Sequence, residues 1–280
     1  MENRIQNQLE IKENELRAWM RRQPRLLVAY SGGVDSTYLS AVAHTEPAVE
    51  LVCVTGVSPS VSADQLEEAK RQAFEIGFRH ELVETGETEK PEYIKNAPDR
   101  CFHCKTELYA KLNEFSERET KGAVIVDGTN ADDLSDFRPG VAAAEKAGVV
   151  SPLAMFGFSK EEVRSASRQL GISGWEKPSS PCLSSRIAYG VPVTIERLAR
   201  IEKGESILRS LGFREFRLRS HKNMARIEIS KLEMERPTFL LEIMRVTSQI
   251  KELGYDHVTL DLEGFKSGSL NRSIAAPKNG

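Results

Sequence analysis

Cys101-Phe102-His103-Cys104 sets two thiols in a C-x-x-C pair, and a third thiol stands in Pro181-Cys182-Leu183-Ser184-Ser185-Arg186. Far upstream, the apolar run Leu26-Leu27-Val28-Ala29-Tyr30 leads straight into Ser31-Gly32-Gly33-Val34-Asp35-Ser36. Three thiolates can hold three corners of an iron–sulfur cluster and leave the fourth metal open for chemistry. The same thiols could instead bind structural zinc, with His103, His80 or His221 as a further ligand. C-x-x-C alone could equally be a dithiol redox pair. Cys53, inside Leu51-Val52-Cys53-Val54, is expected to pack in the core as a small hydrophobe.

The glycine loop supplies a second kind of chemistry. Ser31-Gly32-Gly33 lets the backbone turn tightly and bring successive N–H groups near an anion. Ser36 and Thr37 open the next helix, whose N-terminal dipole attracts phosphate. Asp35 is a candidate handle for magnesium, which binds through carboxylates and phosphate oxygens. Neither GxxxxGK[ST] nor GxGxxG is present. An ordinary Gly-Gly turn is the alternative, but the whole string after a buried strand favours a nucleotide loop.

These residues need a scaffold. The spacing predicts an N-terminal helix to about 23, then strands over 26–30, 49–55, 80–84 and 123–127, with a short one at 149–150. Helices are expected over 36–44, 63–76, 106–117, 141–146 and 160–170, the last opened by a Ser159/Glu162 capping box. Alternation of this kind implies an α/β domain with a parallel sheet, and nucleotides bind at the carboxyl edge of such sheets. Beyond it, a helix over 194–211, strands over 215–220 and 225–230, a helix over 238–253 and a strand over 257–262 give a small α+β domain of α-β-β-α-β order. The expected division is 1–175 for the ATP-binding domain with its N-terminal helix, and 176–193 for a linker carrying Cys182 and Arg186. The α+β substrate domain then spans 194–272, and 273–280 is a frayed tail.

Length and composition bound the function. At 280 residues the chain can build a full core and two domains. A net charge of −2 gives no overall attraction to nucleic acid, so no nucleic-acid partner is expected and any anion site must be local. No apolar run reaches membrane-span length, and no signal segment opens the chain, so no membrane partner and a cytoplasmic location are expected. Four cysteines in such a chain point to metal or catalysis rather than a disulfide framework.

One local anion site is legible in the second domain. Along 215–221, Arg217, Arg219 and His221 share one strand face, with Phe216 and Leu218 on the other. Arg226 and Glu228 share a face of the next strand. If the two strands pair, three guanidinium forks converge, a geometry suited to phosphate or carboxylate. Arg186 and Lys266 could join from loops, while a solvated face with Arg226 offset by Glu228 is the alternative. Asp132, Asp133 and Asp136 form an acidic loop that either holds magnesium or is simply solvated.

Ser31–Ser36 resembles the PP-loop of ATP pyrophosphatases, which form adenylates and release pyrophosphate. Further strings resemble the LarE family, the sulfur transferases of nickel-pincer nucleotide synthesis. They are Asp127-Gly128-Thr129-Asn130, Arg138-Pro139-Gly140, Ser184-Ser185-Arg186, Leu211-Gly212-Phe213, Ala225-Arg226-Ile227-Glu228 and Gly264-Phe265-Lys266-Ser267-Gly268. The family has a single-cysteine form that sacrifices its sulfur and a three-cysteine form that carries a 4Fe–4S cluster. Pro181 stands where the sacrificial donor would be and Cys182 follows it, so the resemblance implies the cluster form, held by Cys101, Cys104 and Cys182. It also implies ATP and magnesium on Ser31, Gly32, Gly33, Asp35, Ser36, Gly128 and Thr129. The implied substrate is pyridinium-3,5-biscarboxylic acid mononucleotide, bound by Arg186, Arg217, Arg219, Arg226 and Lys266, with Glu205 as a site acid. Each carboxylate would be adenylated and then thiolated by cluster-bound sulfide from an unknown donor, in a homo-oligomer. A cluster-dependent tRNA thiolase and a zinc-stabilised nucleotide-binding protein are the alternatives.

Overall fold

The computed structural model describes residues 2–134, 139–177 and 181–266. Two compact units divide the chain, Met1–Glu87 with Cys101–Ser180 and Thr88–Arg100 with Pro181–Gly280. The expected tail at 273–280, Asp136, Arg138 and the end of the 264–268 string lie outside the described residues.

The chain opens with α1 (Glu2–Met20), β1 (Arg25–Ala29), α2 (Val34–His44), β2 (Glu50–Val57), α3 (Ala63–Ile76) and β3 (Arg79–Glu84). After a 3-10 turn it forms α4 (Pro91–Ile94), which belongs to the second unit, and then α5 (Arg100–Glu119). The first unit continues through β4 (Val124–Asp127), α6 (Ala131–Leu134), α7 (Pro139–Lys146), α8 (Pro152–Met155) and α9 (Lys160–Gln169). Its four strands are all parallel, in the order β3-β2-β1-β4. A parallel sheet is buried on both faces, and β1 shows how the sequence meets that demand. Leu26 and Val28 enter one apolar cluster with Tyr38, Leu39 and Phe158, while Leu27 and Ala29 enter another with Tyr109, Leu112 and Phe115. Cys53 is fully buried in the first cluster; its Sγ donates to Ser40 Oγ at 3.2 Å, and burial pushes the thiol up to about 12.

The second unit holds α10 (Ile195–Ser210), β5 (Phe216–His221), β6 (Met224–Ile229), α11 (Lys231–Met234), α12 (Phe239–Glu252) and β7 (His257–Leu260). Its sheet runs β5-β6-β7, antiparallel for the first pair and parallel for the second. A parallel α/β sheet followed by a smaller mixed α+β sheet is the architecture the alternation of elements predicts.

Local signals explain most boundaries. The capping box at α9 forms as expected, with Ser159 N donating to Glu162 Oε2 at 2.8 Å and Glu162 N to Ser159 Oγ at 3.2 Å. Two differences matter for function. The expected strand at 149–150 is a single bridge from Val150 to Val126. The helix expected from 106 begins instead at Arg100, directly after Pro98-Asp99, a proper helix-start signature. The C-x-x-C pair therefore falls at the second and fifth residues of a 20-residue helix.

Candidate functional site

In the first unit the chain crosses from β1 to β2 and β3 on one side, and β4 lies on the other. That reversal of direction puts a crevice at the carboxyl ends of β1 and β4, the place where open α/β sheets take ligands. Ser31–Gly33 follows β1 there, and Gly128–Asn130 follows β4. Two glycines let them close up. Gly32 has φ +69°, and a Cβ on it would stand 2.8 Å from the Ala69 Cα. A Cβ on Gly128 would stand 2.7 Å from the Ser36 amide nitrogen at the start of α2.

Hydrogen bonds then shape the loop. Ser36 Oγ donates to Gly33 O at 3.1 Å, accepts from Ser31 N at 3.3 Å, and lies 3.1 Å from Ser31 Oγ. Asn130 Nδ2 donates to Asp35 Oδ1 at 3.2 Å. Burial, with Asp133 nearby, raises the Asp35 carboxyl above its usual range despite that bond. Behind the loop, Thr37 Oγ1 donates to Gln72 Oε1 at 2.7 Å, and Gln72 Nε2 donates to Glu68 Oε1 at 2.8 Å. Glu68 also accepts from Arg71 and Lys177 at 2.7 Å each. Burial opposes its charge, but these donors outweigh burial and hold it down to about 2.

Asp127 anchors the β4 turn. It accepts from Tyr109 Oη at 2.7 Å, Ser151 Oγ at 2.7 Å, and Thr129 N and Oγ1 at 3.1 and 3.0 Å. Burial works against its charge, yet Lys105 and these donors keep it below the usual carboxylate range. Lys105 Nζ lies 3.9 Å from Asp127 Oδ2 and 3.2 Å from Tyr109 Oη. Two of the loop acids are engaged by Lys160. Asp132 Oδ2 accepts from Lys160 N at 2.8 Å, and Asp133 pairs with Lys160 Nζ at 2.9 Å.

In the second unit β5 and β6 pair with Arg219 opposite Arg226 and Arg217 opposite Glu228. Residues directly opposite share a face, so the expected basic face exists. Acids are woven into it. Glu228, fully buried, pairs with Arg219 at 2.9 Å and with Arg226 at 2.9 Å. Arg186 makes a two-pronged bond to Glu205, Nε to Oε1 at 3.0 Å and Nη2 to Oε2 at 3.2 Å. Glu205 also accepts from Leu218 N at 3.2 Å, so this acid fixes Arg186 to the sheet. The remaining nitrogen of Arg186 reaches the carbonyls of Pro181 and Cys182 and the Ser185 hydroxyl, folding the Cys182 turn around the guanidinium. Arg217 stacks on Phe265 with its guanidinium carbon 4.9 Å from the ring centre. Burial, then the Arg186 cation, push it down to about 10. Lys266 is exposed and pairs with Glu263 at 2.8 Å.

The sequence reading missed what supports the Cys182 turn. Asn96, buried and left-handed at φ 54°, donates to Ala188 O at 2.9 Å and Val191 O at 2.8 Å. Arg100 donates to Asn96 Oδ1 and, at 2.9 Å, to Ser184 O, while the Tyr93 and Ser184 hydroxyls bond each other. An asparagine tolerates the left-handed region better than most residues, and Asn96 just before Ala97-Pro98 was the available signal. Lys105 could have been noticed too, since it follows the C-x-x-C pair and stands one helical turn before Tyr109.

The three-cysteine cluster expected from the resemblance is not assembled. Among the described residues no group of three or more His, Cys, Asp or Glu side chains is placed to hold a metal ion. Cys101 and Cys104 are the second and fifth residues of α5, and Cys182 is the N-cap of a 3-10 turn in the second unit. Among the described residues, then, the donors for a 4Fe–4S group are not brought together. Among the described residues no helix is long and apolar enough to cross a membrane.

No protein-family model matches the chain. Whole-chain relatives do. An uncharacterized protein of Synechocystis is 44% identical over 266 residues, covering 95% of this chain and 99% of that protein. The pyridinium-3,5-bisthiocarboxylic acid mononucleotide synthase of Lactiplantibacillus plantarum is 33% identical over 267 residues, 95% of this chain and 96% of that protein. A shorter match, 29% over 162 residues, is to a glutamine-hydrolyzing GMP synthase polypeptide of Methanopyrus kandleri, covering 53% of this chain and 50% of that protein. With a nucleotide-type loop at the sheet's switch point and near full-length likeness to the Lactiplantibacillus plantarum synthase, the chain belongs to the LarE-like family of PP-loop sulfurtransferases.

Proposed function

We propose that this chain adenylates the carboxylates of pyridinium-3,5-biscarboxylic acid mononucleotide with ATP and converts them to thiocarboxylates, releasing AMP and pyrophosphate. The observation that carries the reading is the close approach of Gly128 to the Ser36 amide. It joins the two turns at the switch point into one cradle of N–H groups and short polar side chains, suited to a polyphosphate. ATP lies against Ser31–Ser36 with Gly128 and Thr129. Magnesium carried with ATP takes one or two carboxylates plus phosphate oxygens, and Asp35, its charge disfavoured first by burial and then by Asp133, suits such a cation. The ion would neutralise phosphate charge as pyrophosphate departs. Positioning and electrostatics do most of the work in such a transfer.

The mononucleotide's phosphate and second carboxylate are assigned to the arginine face. Arg217 is the leading contact, because burial and the Arg186 cation disfavour its charge, and an incoming anion reverses that penalty. Arg219, Arg226 and Arg186 are held by Glu228 and Glu205 in fixed orientation around it. Lys266, exposed and paired with Glu263, is the further basic residue assigned to the substrate. The test separates the two halves of the assignment. Asp35→Ala abolishes pyrophosphate release, whereas Arg217→Ala raises the substrate KM roughly tenfold to a hundredfold, the loss of one charge-assisted bond, with ATP affinity unchanged. Pyrophosphate release by Asp35→Ala at the wild-type rate overturns the nucleotide assignment; a fall in ATP affinity alone for Arg217→Ala overturns the substrate assignment.

A further inference from the structure

Arginines bind an anion well only when the plane of the guanidinium is fixed, and in the second unit an aromatic ring serves that end beside the two buried acids. We propose that Phe265 is a positioning residue of the substrate site, its ring orienting Arg217 so that the in-plane N–H groups meet an anionic group of the mononucleotide. This inference rests on the assignment of the substrate to the arginine face.

The sequence builds a tight turn that delivers the ring. After β7 ends at Leu260, Asp261 N donates to Ile227 O at 2.8 Å, and Phe265 N donates to Ile229 O at 2.9 Å. The chain thus leaves the edge of β6 and rejoins it. Asp261 closes the turn with two acceptors, its carbonyl taking Gly264 N at 3.0 Å and its Oδ1 taking Glu263 N at 2.9 Å. Gly264 permits the return. Its φ is +75°, and a Cβ on it would stand 2.9 Å from Ile229 O, a backbone atom. Gly264-Phe265 therefore acts as one unit, the glycine to turn and the phenylalanine to present its ring.

Phe265 joins β6 on the β7 side, whereas Arg217 stands on β5 at the other side of β6. The arginine crosses the sheet face to meet the ring, and its guanidinium carbon lies 4.9 Å from the ring centre. Arg217 Nη1 also donates to Phe216 O at 2.7 Å. The same turn reaches a second arginine of the face, with Asp261 Oδ2 3.5 Å from Arg226 Nε.

A ring and a carboxylate hold a cation differently. Glu228 and Glu205 bond Arg219, Arg226 and Arg186 along their N–H edges and bring full negative charge. An aromatic ring attracts a cation through its face and carries no net charge. It engages the guanidinium plane, which is not the side that carries the donors. Burial and the Arg186 cation disfavour charge on Arg217. The ring attracts that charge without cancelling the field an incoming anion meets.

The test is a double-mutant cycle on the full-length protein, read as the mononucleotide KM in pyrophosphate release. Phe265→Leu removes the ring and keeps an apolar side chain, and Phe265→Met is run in parallel as a second ring-free variant. Each should raise the mononucleotide KM about threefold to thirtyfold, the range of a cation–π contact, with the KM for ATP unchanged. Phe265→Tyr keeps the ring and should restore the wild-type value. In an Arg217→Ala background, Phe265→Leu should have no further effect, because the ring acts through that arginine. The contact has its own signature without substrate. Ring current displaces the Arg217 Nε–H proton resonance, assigned by its loss in Arg217→Ala, and Phe265→Leu should return it toward the ordinary arginine position. Equal rises in KM with and without Arg217 overturn the proposal, as does a Phe265→Tyr variant as weak as Phe265→Leu, or an Arg217 resonance that Phe265→Leu leaves in place. A wild-type KM in Arg217→Ala, with the resonance still moved by Phe265→Leu, removes the substrate assignment instead and leaves the contact standing.

Discussion

Gly128→Ala probes the cradle without removing any polar group. The added Cβ would lie 2.7 Å from the Ser36 amide nitrogen and 3.0 Å from its Cα. Ordinary contact begins about 0.7 Å farther out than the first of these distances, and neither neighbour is a side chain that can swing away. The β4 turn or the first turn of α2 must therefore shift as backbone. Forcing an extra carbon into a packed site costs about 1–3 kcal/mol. For a protein of this size that lowers Tm by roughly 2–12 °C, at about 2–4 °C per kcal/mol. The functional effect should be larger than the stability effect, because a misplacement of about 1 Å can cost a hundredfold in rate. We expect pyrophosphate release to fall roughly tenfold to a hundredfold at a temperature where circular dichroism shows the variant folded. Unchanged Tm together with unchanged release would refute the close approach and the cradle built on it.

Two further changes test the supports of the site. Asn96→Ala removes the donors to Ala188 and Val191 and leaves alanine in the left-handed region, so it should cost about 2–4 kcal/mol in urea unfolding; a loss under about 0.5 kcal/mol contradicts the clamp. Glu68, held down to about 2, adds stability above its unfolded value of about 4.3, and that stability drains away as pH falls through about 2. Glu68→Gln should therefore flatten the acid side of the stability–pH curve between about pH 4.5 and 2, by a modest amount because the group is partly solvated, and an unchanged acid limb sinks the assignment.

The first unit was legible because its signals are local. A run such as Leu26–Ala29 that is apolar at every position reads as a strand covered on both faces, and the glycine string after it marks the crevice. Alternation along 215–221 and 224–230 was legible as two one-sided strands, and their antiparallel pairing is what the structure adds. What the sequence hid is pairing between distant residues. Nothing in it says that Glu228 serves two arginines or that Glu205 grips Arg186, since an acid and an arginine look alike whether bound or solvated. The segment around Asn96 carries no periodicity, so its place beneath the Cys182 turn was invisible. The cysteines misled for a related reason. Their spacing suits a cluster, but a ligand set is a three-dimensional fact, and the helix that starts at Arg100 takes two of them into its first five residues.

The claim that a carboxylate is activated on ATP's α-phosphorus can be read from a single oxygen atom. Pyridinium-3,5-biscarboxylic acid mononucleotide labelled with heavy oxygen in its carboxylates is turned over with ATP and inorganic sulfide, and the products are weighed. Adenylation moves one carboxylate oxygen into each AMP formed, in step with thiocarboxylate, and leaves pyrophosphate unlabelled. Unlabelled AMP, or ADP and labelled phosphate in its place, would contradict the account.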